Sequence, residues 1–282
     1  MKPSQMTGGD IADWLGAGWD GLPSDLQRHV AACSSAVLPG ARRRFLLADT
    51  PVGWVTPDFA AALARQPGIA SADDAVTLAE PDRLPALARR MSQDGHYRFR
   101  REAFDVCGEE QDGPALATID RGALPSFGIV AHGAHLNGLV RRADGLHLWV
   151  ARRASDKLLD PDKLDNLTAG GVAAGSTPAE TLVKEAGEEA GIAPELAARA
   201  APVGWFRYAM ERPEGLRRDV LHCFDLELPE DFVPRPVDGE ISGFELWPAG
   251  RVLAAVRETD EFKFNVSLVL IDLFRRLGMI SA

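Results

Sequence analysis

The chain has 282 residues, of which 46% are hydrophobic and 26% are charged. These are the values of an ordinary globular protein, and the length suits one large domain or two, so disordered, collagen-like and coiled-coil chains are excluded. The 31 basic and 41 acidic residues give a formal net charge of −10, which argues against nucleic acid or an anionic membrane as a partner.

Cysteine usage and the amino-terminal segment bear on the compartment. The chain has three cysteines, Cys33, Cys107 and Cys223, an odd number with no CxxC pair. The first residues lack an apolar signal region, and no stretch approaches the roughly 18 to 20 apolar residues of a membrane helix. We therefore expect a cytoplasmic protein that is not inserted into a membrane.

The first third of the chain reads as short helices around small strands. A helix is predicted in "PSDLQRHVAACSS" with Ser24 as its cap, and another from 82 towards 95. The apolar runs 45–47 and 52–55 flank a turn that contains Pro51 and predict a hairpin. These elements together indicate a small α+β unit.

A domain boundary is predicted in the polar stretch 108–114, which is the most loop-like part of the sequence. We accordingly divide the chain into an accessory domain, 1–120, and a second domain, 121–282. The accessory domain has three candidate roles, which are to cover an active site, to contact substrate or to form a homodimer.

The second part alternates strands with one central and one final helix. The runs "GIVAHGAHLNGLV" and "LHLWVAR" are joined by Asp144-Gly145, a strong hairpin signal. A second pair, "PVGWFRYAM" and "DVLHCFDLEL", surrounds a turn that contains Gly215. The strand "SGFELWP" and the helix "NVSLVLIDLFRRLGMI" follow.

The central helix in "GSTPAETLVKEAGEEAGI" has clear start and stop signals. Thr177 is the predicted N-cap, Pro178 occupies the first helical position, and Glu180 completes a capping box. Gly191 supplies the stop at the carboxyl end. The predicted helix therefore runs from Pro178 to just before Gly191.

Three glutamates of this helix share one face. At about 3.6 residues per turn, Glu185, Glu188 and Glu189 fall within an arc of about 100°. We expect no Lys or Arg to interleave with them, so their repulsion would be relieved by a divalent cation such as Mg²⁺ or Mn²⁺, which prefers oxygen ligands. The alternative, and the commoner case for such a pattern, is a solvated acidic face.

The surroundings of these acids carry a more specific signal. Gly170, then Glu185, Glu188, Glu189, Gly191 and Ile192, have the spacing of the Nudix box, which this segment resembles. Ser176 stands where a glutamate is usual, and Lys184 stands where an arginine is usual. The segments from about 119 to the end are similar to the Nudix proteins that resemble the N-terminal half of fungal thiamine pyrophosphokinase. The first third matches more loosely, through "FLLADTPVGWV" and "RFRREAFDVC".

The resemblance implies a fold and an activity. The fold is α/β, a Nudix-type α/β/α sandwich with a mixed sheet, preceded by the small α+β domain. The activity is metal-dependent hydrolysis of a small-molecule diphosphate. For this subfamily the implied substrates are thiamine diphosphate and its oxidised forms, which are cut to the monophosphate plus phosphate as a metabolite-repair reaction.

The resemblance also implies roles for individual residues. Glu185 and Glu189 become inner-sphere metal ligands, Glu188 becomes a ligand or a water-mediated contact, and the Gly170-Gly171 backbone passes close to the metal. Glu240 is the candidate for the base or for an extra ligand, with a plain loop glutamate as an equal alternative.

The second hairpin supplies the candidate substrate contacts. Arg207, Arg217 and Arg218 suit phosphate geometry, although each alone is more often a surface charge. Tyr208, with Trp205 and Phe206, is a candidate to stack on a thiazole or pyrimidine ring, against the commoner alternative of a core aromatic.

Two other functions compete with the repair diphosphatase. One is a Nudix hydrolase of nucleoside diphosphate sugars or dinucleotides, because the box fixes the metal chemistry and leaves the organic moiety to loops elsewhere. The other is a catalytically silent Nudix module that binds a phosphorylated ligand, for which Ser176 and Lys184 are the support.

Overall fold

The computed structural model describes residues 19, 21–108 and 113–280. The first part of the chain contains short helices, small strands and one 3₁₀ turn, Pro81–Arg83. In chain order the helices and strands are α1 (Ser24–Cys33), β1 (Arg43–Leu47), β2 (Thr50–Val55), α2 (Pro57–Leu63), β3 (Ile69–Ser71), β4 (Ala75–Leu78), α3 (Leu84–Gln93), β5 (Ala103–Val106), β6 (Ala117–Asp120) and α4 (Leu124–Phe127).

The strands of this part form a four-stranded sheet of order β2-β1-β4-β3 and a separate β5-β6 pair. The β1-β2 hairpin is confirmed, but Pro51 lies within β2 opposite Leu46, and the turn is at positions 48–49. The predicted Ser24 cap is wrong, because Pro23 occupies the N-cap position of α1 and no side chain caps the helix.

The second part contains long strands and four further helices. They are β7 (Val130–Arg142), β8 (Gly145–Arg153), β9 (Leu164–Asp165), β10 (Thr168–Gly171), α5 (Pro178–Ala190), α6 (Pro194–Ala197), β11 (Ala201–Arg212), β12 (Gly215–Glu227), β13 (Ile241–Pro248), α7 (Ala249–Glu258) and α8 (Phe264–Arg276).

One seven-stranded sheet organises this part. Its main path is β11-β12-β7-β8-β13, with β10 paired to β7 and β9 paired to β8. The sheet is mixed, because β12 runs parallel to β7 and the other pairs are antiparallel. Both predicted hairpins, β7-β8 and β11-β12, are confirmed.

Helices cover both faces of this sheet. Helix α5 packs Leu182 and Ala186 on one face, in a core with Leu136 of β7. Helices α7 and α8 cover the other face, in a core that includes Val252 and Leu270. The predicted α/β/α sandwich is therefore confirmed, and α7 is a helix that the sequence pattern did not predict.

Helix α1 crosses the predicted domain boundary. Its buried side chains Leu26, Val30 and Cys33 belong to the same core as α7 and α8. The boundary loop 108–114 lies partly outside the described residues. The division at 120 stays a prediction. Helix α1 precedes this position in sequence but packs against helices that follow it.

Two further expectations concern the whole chain. In the ranges given above, no helix is both long enough and apolar enough to cross a bilayer. Cys33, Cys107 and Cys223 are free thiols, and the first and last of them are buried.

Candidate functional site

Helix α5 forms as its local signals predict. The Thr177 side chain accepts a hydrogen bond from the Glu180 N–H, and the Glu180 carboxylate accepts one from the Thr177 N–H. Gly191 ends the helix with a left-handed φ of 65°. The apolar stripe of the helix packs on the sheet, so the acidic face lies against the edge strand β10.

Glu189 is a buried carboxylate with only 4% of its surface exposed. Its Oε2 accepts a hydrogen bond from the Ala169 N–H of β10, at 3.0 Å. Burial raises the pKa of Glu189 well above its usual range, and the negative charges of Asp165, Glu185 and Glu240 add to the rise. The site thus holds a carboxyl group that lacks the solvation its charge requires.

Glu185 lies one helical turn earlier, against the next residue of β10. A Cβ on Gly170 would come within 2.4 Å of the Glu185 side chain, so this close approach requires glycine. Burial raises the pKa of Glu185, with Lys184 opposing the rise and Glu188 adding to it. Glu185 and Glu189 therefore meet at the same short segment of backbone, Ala169-Gly170.

Glu188 is held differently from the other two glutamates. Its carboxylate is half exposed and receives Lys184 Nζ at 2.7 Å, and the same ammonium lies 3.4 Å from Glu185 Oε1. The expectation that no basic residue relieves the acidic face is wrong, because the i,i+4 spacing brings Lys184 onto it. Within the described residues, no three His, Cys, Asp or Glu side chains are grouped closely enough for one metal ion.

Glu240 lies on the loop before β13 and interacts electrostatically with Glu185 and Glu189. Its carboxylate forms an ion pair with Lys157. Burial alone would raise the pKa of Glu240, but Lys157, through a hydrogen bond and its charge, outweighs burial and lowers it. Glu240 is therefore a carboxylate at neutral pH, placed near Glu185 and Glu189.

Tyr208 and Arg217 lie on the other face of the sheet. Tyr208 is fully buried, packs edge-on against Phe264 and donates its hydroxyl hydrogen bond to Asp219. Arg217 Nε donates to the same Asp219 carboxylate at 2.8 Å. This placement corrects the prediction that Tyr208 and Arg217 contact the substrate. Because strand residues alternate between the two faces of the sheet, both side chains point away from α5.

Arg218 and Arg207 lie on the α5 face of the sheet. Arg218 is 1% exposed, and its Nη1 donates to the Gly128 carbonyl at 3.1 Å, so it is a buried structural residue and not the exposed phosphate contact expected from the sequence. Arg207 is partly buried and alternates with the core residues Phe206 and Tyr208. Arg207 therefore keeps its place as a candidate substrate contact.

Trp205 is the exposed member of the aromatic trio. Half of its surface is accessible, whereas Phe206 and Tyr208 are core residues on the opposite face. Because strand residues alternate, Trp205 projects on the same face as Arg207. Among the three aromatic candidates, Trp205 is the one that has ring surface available for a substrate.

A buried polar network lies behind the acidic residues, and the sequence analysis did not find it. Arg153 Nη1 donates to Asp165 Oδ2 at 2.9 Å, and Lys263 Nζ lies 3.8 Å from the same oxygen. His135 Nδ1 lies 2.9 Å from Asn166 Oδ1, and burial lowers the pKa of His135 to about 4. These residues come from separate strands and loops, so no local pattern in the sequence could reveal the network.

The first part of the chain reaches the site through strand β5. The ring of Phe104 packs against Gly171, where a Cβ would lie 2.6 Å from Cζ. The Ala174 N–H donates to the Ala103 carbonyl at 2.8 Å, and the Gly175 N–H donates to Asp105 Oδ2 at 2.8 Å. The loop between β10 and α5 is therefore held by β5.

Comparisons with known proteins locate a family in this part of the chain. Residues 132–266 match the family profile described as NUDIX domain. Two relatives from Arabidopsis thaliana, Nudix hydrolase 20, chloroplastic, and Nudix hydrolase 24, chloroplastic, are 44% and 46% identical over 167 residues, which is 59% of this chain. The match covers 45% and 46% of their lengths, so the chain spans about half of these curated relatives.

A solved structure of the DR0079 protein from Deinococcus radiodurans is also similar to the chain. It is 21% identical, with a TM-score of 0.46, and the match covers 62% of this chain and all of that one. The family profile matches the segment that contains the mixed sheet, helix α5 and its three glutamates. Residues 132–266 are thus similar in sequence to the NUDIX domain, and this segment carries the site described above.

Proposed function

We propose that the chain hydrolyses a diphosphate that is joined to an organic moiety, with thiamine diphosphate or its oxidised forms as the substrate. The observation that carries the hydrolysis is the meeting of two carboxylates, the partly buried Glu185 and the buried Glu189, at the Ala169-Gly170 backbone. The thiamine assignment is supported by the resemblance of the segments from about 119 onwards to the Nudix half of fungal thiamine pyrophosphokinase.

Magnesium or manganese fits the residues at this place. Glu185 and Glu189 offer only oxygen donors, and burial raises the pKa of both carboxyl groups. A bound dication would offset that penalty, and oxygen ligands are those that Mg²⁺ and Mn²⁺ prefer. Such an ion supplies Lewis-acid polarisation of the phosphoryl oxygens when it is bound. Glu188 would join the set only after leaving Lys184.

The remaining roles are assigned to residues of the chain itself. Glu240 accepts the proton of the attacking water, because it is ionised at neutral pH and lies near Glu185 and Glu189. Trp205 stacks on the ring of the organic moiety, and Arg207 on the same sheet face binds phosphate oxygens. Each assignment follows from the placement of these side chains near α5 or on its side of the sheet.

The proposal is tested by measuring phosphate release with Mg²⁺, and separately with Mn²⁺. The substrates are thiamine diphosphate, oxythiamine diphosphate and a panel of nucleoside diphosphate sugars and dinucleotides. We expect release from the thiamine compounds that Glu189→Gln abolishes and that the control Glu195→Gln, an exposed change on α6, leaves intact.

Other results would favour the competing functions. Turnover of the nucleotide compounds alone would keep the hydrolase and reject the thiamine substrate. Absence of release from every compound with either metal would reject the hydrolase and favour a silent ligand-binding module.

A further inference from the structure

The placement of Arg217 and Arg218 leaves the proposed substrate short of cationic partners. Arg217 is committed to Asp219, and the buried Arg218 donates to the Gly128 carbonyl. Lys184 and Lys157 are paired with Glu188 and with Glu240. A diphosphate that approaches several carboxylates requires further positive charge to be bound, beyond a metal ion and Arg207.

Arg121 supplies such a charge from the first part of the chain. Its guanidinium lies over the ring of Phe104, 5.7 Å from the centroid, and the edge of the same ring packs against Gly171. Gly171 is covalently joined to Gly170, which touches Glu185. A continuous run of contacts therefore links Arg121 to the acidic site.

The backbone around Arg121 is held by Asp120. The two carboxylate oxygens of Asp120 accept hydrogen bonds from the N–H groups of Arg100, Arg101, Glu102 and Gly122, at distances of 2.7 to 3.3 Å. The Arg121 N–H donates to the Glu102 carbonyl at 2.8 Å. The guanidinium thus projects from a fixed loop, which lowers the conformational cost of binding an anion.

The side chain of Arg121 remains available to a ligand. It is 48% exposed, and within the described ranges its ionic partner is Glu102, at 2.9 Å, whose side chain is 37% exposed. Surface ion pairs of this kind are weak and exchange readily. Arg98, Arg100 and Arg101 are exposed beside it, with no carboxylate of the described ranges within 4.0 Å of their side-chain nitrogens.

We propose that Arg121 binds the phosphate groups of the substrate, so that the loop between β6 and α4 contributes a side chain to the active site. This inference rests on the proposed diphosphate hydrolysis and adds a binding residue to it. The charge of Arg121 also helps to lower the pKa of Glu240, which is consistent with a position close enough to act on the same substrate.

The test compares four variants of the full chain. Arg121→Ala removes the charge, and Arg121→Lys keeps it without the planar fork. Glu102→Gln removes the partner of Arg121 and keeps the arginine. Arg83→Ala is the matched control, because Arg83 is 45% exposed and pairs with a single nearby glutamate, Glu80.

Two quantities are measured for each variant with Mg²⁺. They are KM and kcat for the best substrate, and the Kd of imidodiphosphate, a diphosphate analogue whose bridging nitrogen resists hydrolysis, by calorimetry. We expect Arg121→Ala to raise KM and Kd about 10-fold with kcat changed by less than about 3-fold, Arg121→Lys to restore part of the loss, and the other two variants to match the wild type.

The outcomes separate this inference from the proposed function. Equal KM and Kd for Arg121→Ala and Arg83→Ala would overturn the inference and leave the hydrolase. A loss by Glu102→Gln as large as that of Arg121→Ala would also overturn it, because the ion pair would then be structural. If the wild type releases no phosphate, Arg121-dependent binding of imidodiphosphate would still support the site, and absence of binding would overturn both.

Discussion

Glu189 combines a proposed role in catalysis with an energetic cost. The folded protein binds a proton at this carboxyl more tightly than the unfolded chain does, because burial raises its pKa. The free energy of unfolding of the metal-free protein therefore falls as the pH rises from the usual glutamate range into the raised range. The Ala169 N–H needs an acceptor, which a glutamine oxygen also provides.

Glu189→Gln should thus abolish turnover and stabilise the metal-free protein. At pH 7.5 in the presence of a chelator, we expect its free energy of unfolding to exceed that of the wild type by an amount on the order of 1 kcal/mol. Urea denaturation measures the difference, with Glu195→Gln as control. A Glu189→Gln protein less stable than the wild type would contradict the cost assigned to this carboxylate.

The buried His135 should give the free energy of unfolding a second pH dependence, opposite in sign to that of Glu189. Burial lowers its pKa from 6.5 to about 4, so the unfolded chain binds the proton more tightly between these values. The free energy of unfolding should then fall as the pH drops from 6.5 to 4, by about 3 kcal/mol from this group. Denaturation curves from pH 4 to 7.5 measure the slope, which His135→Gln should flatten and the exposed control His96→Gln should leave unchanged.

At the scale of elements, the contact between β10 and α5 is set by Gly170. A methyl group there meets the flexible end of Glu185, which can move aside, so the fold should tolerate it while the carboxylate is displaced. We expect Gly170→Ala to lower kcat/KM at least about 10-fold with a small change in Tm. Gly243→Ala is the control, because a Cβ at Gly243 would have no neighbouring atom within 4 Å. Full activity of Gly170→Ala would show that Glu185 has no fixed position in catalysis.

Local sequence signals predicted most of the helices and strands, but they could not predict contacts between segments that are distant in sequence. Thr177 and Gly191 mark the two ends of α5, and the sequence predicted both because helix capping depends on neighbouring residues alone. Period-two alternation would have placed Tyr208 and Arg217 on the face away from α5, but only once the face covered by α5 was known. The contact of Phe104 with Gly171 joins segments far apart in sequence, so no spacing in the chain could indicate it.

At the scale of the molecule, the two predicted domains depend on each other. Helix α1 completes the core over α8, and β5 holds the loop that leads into α5. We expect residues 121–282, expressed alone, to lack a cooperative thermal transition, because Leu26 and Phe104 no longer cover apolar surface. Circular dichroism on heating tests this expectation, and a sharp transition would establish an independent domain. The cytoplasmic location and the homodimer stay predictions.

The position of helix α1 also affects how the protein is made. Ser24–Cys33 is synthesised well before its partner Phe264–Arg276. The apolar side chains of α1 are therefore covered only after the long segment between the two helices has been made, which gives this core a high contact order. During that interval the apolar face of α1 is exposed, which is the kind of surface that makes folding intermediates prone to aggregation.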